Sequence, residues 1–413
     1  MFNVDNIYDI LNTNFLRPNT LSGAILHEFG KCDSMNDIWT LNTDLHEVLF
    51  NLQNVYFYDQ EPVYDHGIVI RMHDIFSKEY NNSYYGIDGG LFATSEKNNP
   101  KVTAICTKLK LSQWYYFYHA FASLDWFRSI QYMPKVDNIW KGASFINLNN
   151  LYTGPRIYRL EFLSKLYKQG LFGEGIISYN INDYSSEIDH NRYLRDKDSV
   201  LEFCEKVGNS FRIQSNNYMK DNASAEQEYS IWTSAFWHVV SETCFYEKTL
   251  HLTEKVFKPI VARQPFLLLS TPRSLEYLRE YGFKTFNKFI DESYDHVTDP
   301  ELRMQKVVEQ LTYICNLTAN QKQEMYNDMQ SILDYNFNHF YNELENIAWR
   351  ELVTNFETAL EESNNLSCLA SYHNNIKQYQ TFSEIPIEKR CVFTNKLYSD
   401  TSTLSYKLKK ILK

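Results

Sequence analysis

The sequence predicts an α/β fold built from two open-sheet domains, with a helical segment closing the chain. Three observations carry that prediction. Short apolar runs end directly in polar loops, as where residues 55–58 meet Asp59-Gln60-Glu61-Pro62, the pattern of buried strands whose ends face a ligand. Residues 144–179 read as strand, helix, strand, the unit that builds a parallel sheet. The chain has 413 residues, long for one core, since single cores stop growing at roughly 250–300 residues.

Within the first 140 residues, 55–58, 67–71, 91–94 and 102–106 each read as a strand. Residues 114–130 form a dense aromatic stretch of helical length, read as a buried packing helix. The second half begins near Ala143 with a strand over 144–148. Gly154-Pro155 then opens a helix, because Pro suits the first helical turn, and Gly170 closes it. A strand follows at 176–179, then a polar segment to 228 that holds loops and a short helix. Thr253 starts another helix, 265–269 is a buried strand, and the helix over 272–281 ends at Gly282. From Pro300 to about Glu362 the sequence is helical, and its tail is Asn/Ser-rich and then Lys-rich. The expected domains are 1–140, 141–345 and 346–413. The last is a helix and tail, a candidate for return to the first domain.

Composition excludes several functions. Lys and Arg number 41 against 51 Asp and Glu, a formal net charge of −10. A broad basic footprint for nucleic acid is absent, so any phosphate site must be local. The opening MFNVDNIYDILNTNF has no positive n-region and does not read as a signal peptide. The longest compact apolar run, 265–269, is far below the roughly 20 residues of a membrane helix, so no membrane span is expected. The 7 Cys are scattered and never form CxxC, which argues for reduced thiols in a cytoplasm and against a zinc knuckle.

A helix N-terminus carries about half a positive charge, so its first turn normally favours acidic residues. Two helix starts break that preference. One has Arg156 and Arg159 after Pro155; the other has Lys255 and Lys258 after Thr253-Glu254. A bound phosphate reverses the sign, since backbone N–H groups, dipole and side-chain cations then all favour it. On the second helix Val256, Phe257, Ile260 and Val261 form an apolar stripe, with Glu254, Lys255 and Lys258 on the opposite arc. Spacing alone is equally met by a surface i,i+4 pair of Glu254 with Lys258, the arginines being solvated charges.

Residues 237–266 read WHVVSETCFYEKTLHLTEKVFKPIVARQPF. This resembles the donor-site motif of fucosyltransferase-like GT-B glycosyltransferases: an apolar strand, a Glu-containing turn, a Thr-Glu-Lys opening a helix, a small-apolar run and a Pro. Glu242 matches the first Glu, Thr253-Glu254-Lys255 the triplet and Pro265 the Pro; Val261, Ala262, Arg263 and Gln264 are bulkier than the family's small residues. Upstream, FINLNNLYTGPRIYRLEFLSKLYKQG is similar to the family's other donor-side element, a strand ending in a Ser-Asn-like pair, a loop and an Arg-bearing helix. The order of the whole also resembles a set of tailed-phage proteins that share FYDQEP, an aromatic–His–Ala segment, LREYGFKTF and DESYD. Together these resemblances cover most of residues 50–310.

They imply a GT-B fold of two Rossmann-like domains facing a cleft, and sugar transfer from a UDP- or GDP-linked donor without a further cofactor. The leaving diphosphate is highly charged, and stabilising it lowers the barrier most. A metal-dependent site would show Asp-x-Asp at a strand end. Asp196-Lys197-Asp198 lies instead in a polar stretch and reads as a solvated loop or helix start. The expected site is therefore metal-independent. Arg156 or Arg159 clamps the diphosphate with Lys255, and Glu242 and Glu254 accept hydrogen bonds from ribose or sugar hydroxyls. Thr253 and Lys258 complete the donor set.

A general base must take the acceptor proton. Asp59 and Glu61 are the candidates, with His73 and Asp74 behind them; for each, a turn or cap is the alternative. Asp291, Glu292 and Asp295 of DESYD read equally as donor-sugar neighbours and as helix caps. His119 and His238 sit in apolar stretches and read as core histidines. The favoured acceptor is 5-hydroxymethylcytosine in phage DNA, taking glucose or arabinose in the host cytoplasm. The net charge argues against it, because DNA affinity rests on phosphate contacts. Lys407, Lys409, Lys410 and Lys413 add local cations, and aromatic residues suit a flipped base. A lipopolysaccharide or other glycan acceptor, and a non-catalytic nucleotide- or glycan-binding module, are the alternatives.

Overall fold

The computed structural model describes residues 7–8, 11–16, 22–25, 39–40, 54–63, 90–149, 152, 154–180, 194–208, 210–211 and 229–363. The expected strand at 67–71, His73, Asp74, and the tail lysines lie outside the described residues. The chain divides into two compact units. One comprises Met1–Ser95, Pro100–Ala122 and Glu345–Lys413, and the other Glu96–Asn99 and Ser123–Leu344. Each is α/β and carries a sheet of mainly parallel strands.

The first sheet holds β1 (Ser22–Ile25), β2 (Trp39–Thr40), β3 (Asn54–Tyr58), β4 (Leu91–Thr94) and β5 (Ser112–Tyr115), in the order β2-β1-β3-β4-β5. All pairs are parallel except β1 with the edge strand β2. Between β4 and β5 runs helix α1 (Pro100–Leu109). It takes residues 102–106, expected as a strand. Pro100 supplies its start, and Val102, Ile105, Cys106 and Leu109 bury one face at helical spacing. A five-residue run alone does not separate the two periods; Leu109 does.

The aromatic stretch 114–130 also differs from the expected single helix. Its first residues complete β5, helix α2 (Tyr118–Trp126) follows, and Arg128–Tyr132 is a 3-10 turn. The far edge of this sheet is covered by helix α10 (Leu344–Glu362). Trp114 Nε1 donates to the Leu352 carbonyl at 3.1 Å and Asn355 Nδ2 to the Tyr115 carbonyl at 2.9 Å. The Asn355 bond occupies a carbonyl of the edge strand that would otherwise be unpaired. Phe356 packs on Trp114 with ring centroids 4.7 Å apart.

The second sheet holds β6 (Ala143–Leu148), β7 (Gly175–Asn180), β8 (Ser210–Phe211), β9 (Ala235–Ser241) and β10 (Phe266–Leu269). Their order is β10-β9-β6-β7-β8, parallel except at β8. Counted from β6 this is 5-4-1-2-3, compatible with a Rossmann-like sheet, and the order reverses between β6 and β9. Every residue of β9 and β10 is buried, which is why both read as continuous apolar runs rather than alternating ones.

Around this sheet lie α3 (Tyr158–Lys168), α4 (Lys197–Val207), α5 (Tyr229–Trp232), α6 (Glu254–Val261), α7 (Ser274–Glu280), α8 (Pro300–Cys315) and α9 (Ala319–Asn342). Gly170, at φ +70°, follows the end of α3, and Gly282, at φ +89°, that of α7, each in the left-handed conformation that favours glycine. None of the described helices is long and apolar enough to cross a membrane.

Candidate functional site

In an open α/β sheet, ligands bind beyond the carboxyl ends of the strands where strand order reverses. In the second unit that point lies between β6 and β9. Asn147, on β6, donates through Nδ2 to the Val239 carbonyl at 2.8 Å and to Ser241 Oγ at 3.0 Å. The Asn149 amide donates to the Ser178 carbonyl at 2.9 Å. The carboxyl ends of β6, β7 and β9 are thus tied together. Beyond β9 comes the turn from Ser241 to Tyr246, and most of the expected donor residues gather on it.

Glu242 is fully buried and satisfied. Its carboxylate accepts from the Thr253 amide at 3.1 Å, the Thr253 hydroxyl at 2.6 Å and the Thr243 amide at 3.2 Å. Burial raises its pKa; the Lys255 charge and the Thr253 bond oppose that rise. Thr253 is the N-cap of α6, accepting from the Lys255 amide at 3.4 Å. The Lys255 ammonium, on a side chain 28% exposed, reaches Thr253 Oγ1 at 3.0 Å, Thr243 Oγ1 at 3.3 Å and Glu254 Oε1 at 3.3 Å. Glu242, Thr253 and Lys255 therefore form one polar cluster, joining the strand end to the helix start.

The two arginines separate. Arg159 lies in the first turn of α3 and is only 3% exposed. Its Nη2 donates to the carbonyls of Ser241 at 3.2 Å and Glu242 at 3.1 Å. The guanidinium holds main-chain oxygens of the turn, where the sequence left it interchangeable with Arg156 as the diphosphate clamp. Arg156 sits on the preceding 3-10 turn, Gly154–Ile157, and is half-buried. Burial pushes the Cys244 thiol up, Glu247 and Glu96 add to that, and the Arg156 charge opposes it. The Arg156 charge is thus felt at Cys244 of the same turn.

Glu254 and Lys258 do not lie at the surface, where spacing allowed an i,i+4 pair. Both are buried, because α6 packs against β9 and α9, and of the expected polar arc only Lys255 keeps partial exposure. The Lys258 ammonium lies 5.9 Å from the Trp232 ring centre. Burial brings its pKa down to about 8, against the opposing charge of Glu254. His238 is likewise enclosed, with Nδ1 3.3 Å from Gln264 Oε1, and burial followed by the Lys258 charge lowers its pKa to about 3. It is a core histidine.

The acidic DESYD segment is structural. Asp291 caps its own 3-10 turn through the Ser293 amide at 2.8 Å. Glu292 accepts from Thr285 Oγ1 at 2.7 Å and from the Phe286 amide at 2.5 Å. Asp295 caps α7, accepting from the Leu275 and Glu276 amides at 2.8 and 3.1 Å. Asp196 caps α4 through the Ser199 amide at 3.2 Å.

The base candidates belong to the first unit. Asp59 follows β3 and is 1% exposed. It accepts from Tyr8 Oη at 2.7 Å and, through its other oxygen, from Tyr116 Oη. Burial raises its pKa to about 6, with the two hydroxyls opposing. Gln60 Nε2 donates to Tyr8 Oη at 2.8 Å, and His119 Nε2 lies 3.1 Å from the Gln60 carbonyl. Both carboxylate oxygens are thus covered by tyrosines, whereas Glu61 is half-buried at the end of the same loop.

Sequence reasoning missed Thr243, Tyr158 and Arg303. Tyr158 Oη donates to the Glu242 carbonyl at 2.5 Å, and Arg303 Nη2 donates to the Phe245 carbonyl. Tyr158 adjoins the noted Arg159, so its place in the same helical turn was available as a signal; Arg303 lies 58 residues from Phe245 and had none. No family model, curated protein or solved structure matches the chain.

Proposed function

We propose that the protein is a metal-independent glycosyltransferase of GT-B type that binds a nucleoside diphosphate sugar at the carboxyl ends of β6 and β9. The observation carrying this reading is the Lys255 ammonium, held by Thr243 and Thr253 where strand end and helix start meet. A helix N-terminus with a fixed cation favours a diphosphate. Arg156, on the turn before α3, is the second cation; Arg159 shapes the turn.

In the proposed reaction an acceptor hydroxyl oxygen attacks the anomeric carbon of the donor sugar. The bond from that carbon to the diphosphate breaks, and its electron pair leaves with the nucleotide. Arg156 and Lys255 stabilise the departing charge. The acceptor proton passes to a general base.

The resemblance to tailed-phage proteins supports 5-hydroxymethylcytosine in DNA as acceptor, with a glycan as the competing choice. The covered Asp59 carboxylate favours a second reading, a nucleotide-binding module without turnover. Thermal-shift titration with UDP and GDP tests binding, and mass spectrometry of hydroxymethylcytosine DNA incubated with UDP- and GDP-sugars tests transfer. Binding with no transfer to DNA or glycan acceptors selects the module; no binding of either nucleotide overturns both readings.

A further inference from the structure

The turn from Ser241 to Tyr246 carries little regular structure, yet its main chain and side chains are gripped from two helices. From α3, Arg159 holds the carbonyls of Ser241 and Glu242, and Tyr158 Oη also donates to Glu242. Glu161, one turn further along, accepts from Tyr246 Oη at 3.1 Å. From α8, Arg303 takes the Phe245 carbonyl. The same guanidinium donates to the carbonyls of Ser270 at 2.9 Å, Val297 at 2.7 Å and Thr298 at 3.3 Å. It lies 4.5 Å from the Phe245 ring centre, and that ring stacks on Tyr158 with centroids 4.3 Å apart.

We infer that Arg303 is a positioning residue that sets the Ser241–Tyr246 turn, and through it the Thr243 hydroxyl that meets Lys255. Arg303 is 2% exposed, so it has no access to a ligand and acts only through what it holds. A guanidinium presents five donors in a rigid fork, which an ammonium does not reproduce. Four carbonyls from three separate segments converge on it. Without it the buried Phe245 and Ser270 oxygens lose this donor, and beyond Ser241 the turn has no sheet or helix of its own to hold it. The link from turn to ligand rests on the nucleotide-site reading above.

Cys244 provides a reporter that does not depend on any nucleotide. Its thiol is buried inside the turn, while Cys315 lies half-buried on α8 itself. The experiment is maleimide labelling of the native full chain, read by peptide mass spectrometry, for wild type, Arg303→Lys and Arg303→Met. UDP and GDP titrations are run on the same samples.

The expected result is a Cys244 labelling rate about tenfold higher in Arg303→Lys and higher again in Arg303→Met, with Cys315 unchanged. Nucleotide affinity falls in the same order. Cys244 protected as in wild type in both variants overturns the inference. So does increased labelling accompanied by unchanged nucleotide affinity. A wild type that binds neither nucleotide overturns the reading of the site, and Cys244 labelling then still decides whether Arg303 sets the turn. Where Arg303 variants do not fold, Tyr158→Phe replaces them: it keeps the ring stack and removes one donor to the turn. A rise in its Cys244 labelling supports the gripped turn, and no rise overturns it.

Discussion

The Lys255 ammonium lies 3.3 Å from the Thr243 hydroxyl, adding to the two bonds from Thr253 to Glu242 that join the start of α6 to the turn after β9. Both residues stand where the strand order of the second sheet reverses. Lys255→Ala is expected to weaken UDP or GDP binding at least about tenfold, the scale of one charge-assisted bond. Its melting temperature should fall as well, because the ammonium lies 3.3 Å from the buried Glu254 carboxylate, which would lose that cation. Titration calorimetry beside a thermal melt checks both; full affinity in the variant would remove Lys255 from the site.

The arginines should separate by phenotype. Arg159→Met removes the donor to two buried carbonyls and is expected to cost about 2–4 kcal/mol of stability. Arg156→Ala should cost no more than about 0.5 kcal/mol, as a half-exposed position, yet weaken nucleotide binding. Urea unfolding and nucleotide titration of the pair are the measurements. Equal stability losses would contradict the assignment.

Glu242 faces three donors and offers them two acceptor oxygens. Glu242→Gln turns an amide NH2 toward at least one of them. A loss of about 1–3 kcal/mol follows from an unmet buried group, concentrated at the α6 start. Hydrogen exchange should show faster exchange at the amides of residues 253–256 and little change along α9. Uniform loss of protection would mean global destabilisation instead.

Asp59 makes stability depend on pH. Its pKa is 3.8 in the ordinary case and about 6 when buried beneath the tyrosines. The folded chain therefore holds a proton that the unfolded chain has lost between those values. This group's contribution is fully present below about pH 4 and fades as pH rises through about 6. The total is about 3 kcal/mol, at 1.36 kcal/mol per pKa unit. Denaturant midpoints at pH 4, 5, 6 and 7 should show a slope in wild type that flattens in Asp59→Asn; identical slopes would mean that Asp59 does not titrate in that window.

Much of the scaffold was legible along the chain. The strands read at 144–148 and 176–179 are present, and the run at 265–269 is a strand because one buried on both faces needs continuous apolar residues. Thr253 capped its helix, and Gly170 and Gly282 followed theirs, because such ends depend on local chemistry alone. The run 102–106 was ambiguous for the opposite reason, being too short for either period to dominate.

What only the tertiary structure decided concerns which side each polar group faces. Arg156 and Arg159 are three residues apart, and at that spacing either suits a phosphate. The carbonyls of Ser241 and Glu242, contributed by a distant strand end, take Arg159. Glu254 and Lys258 have the period of a solvated arc, but both are buried where α6 packs against β9 and α9. Asp59 and Glu61 follow the same strand, and two tyrosines distant in sequence cover one of them. Periodicity encodes which residues lie together on an element; what is packed against that element is set by segments far away in the chain.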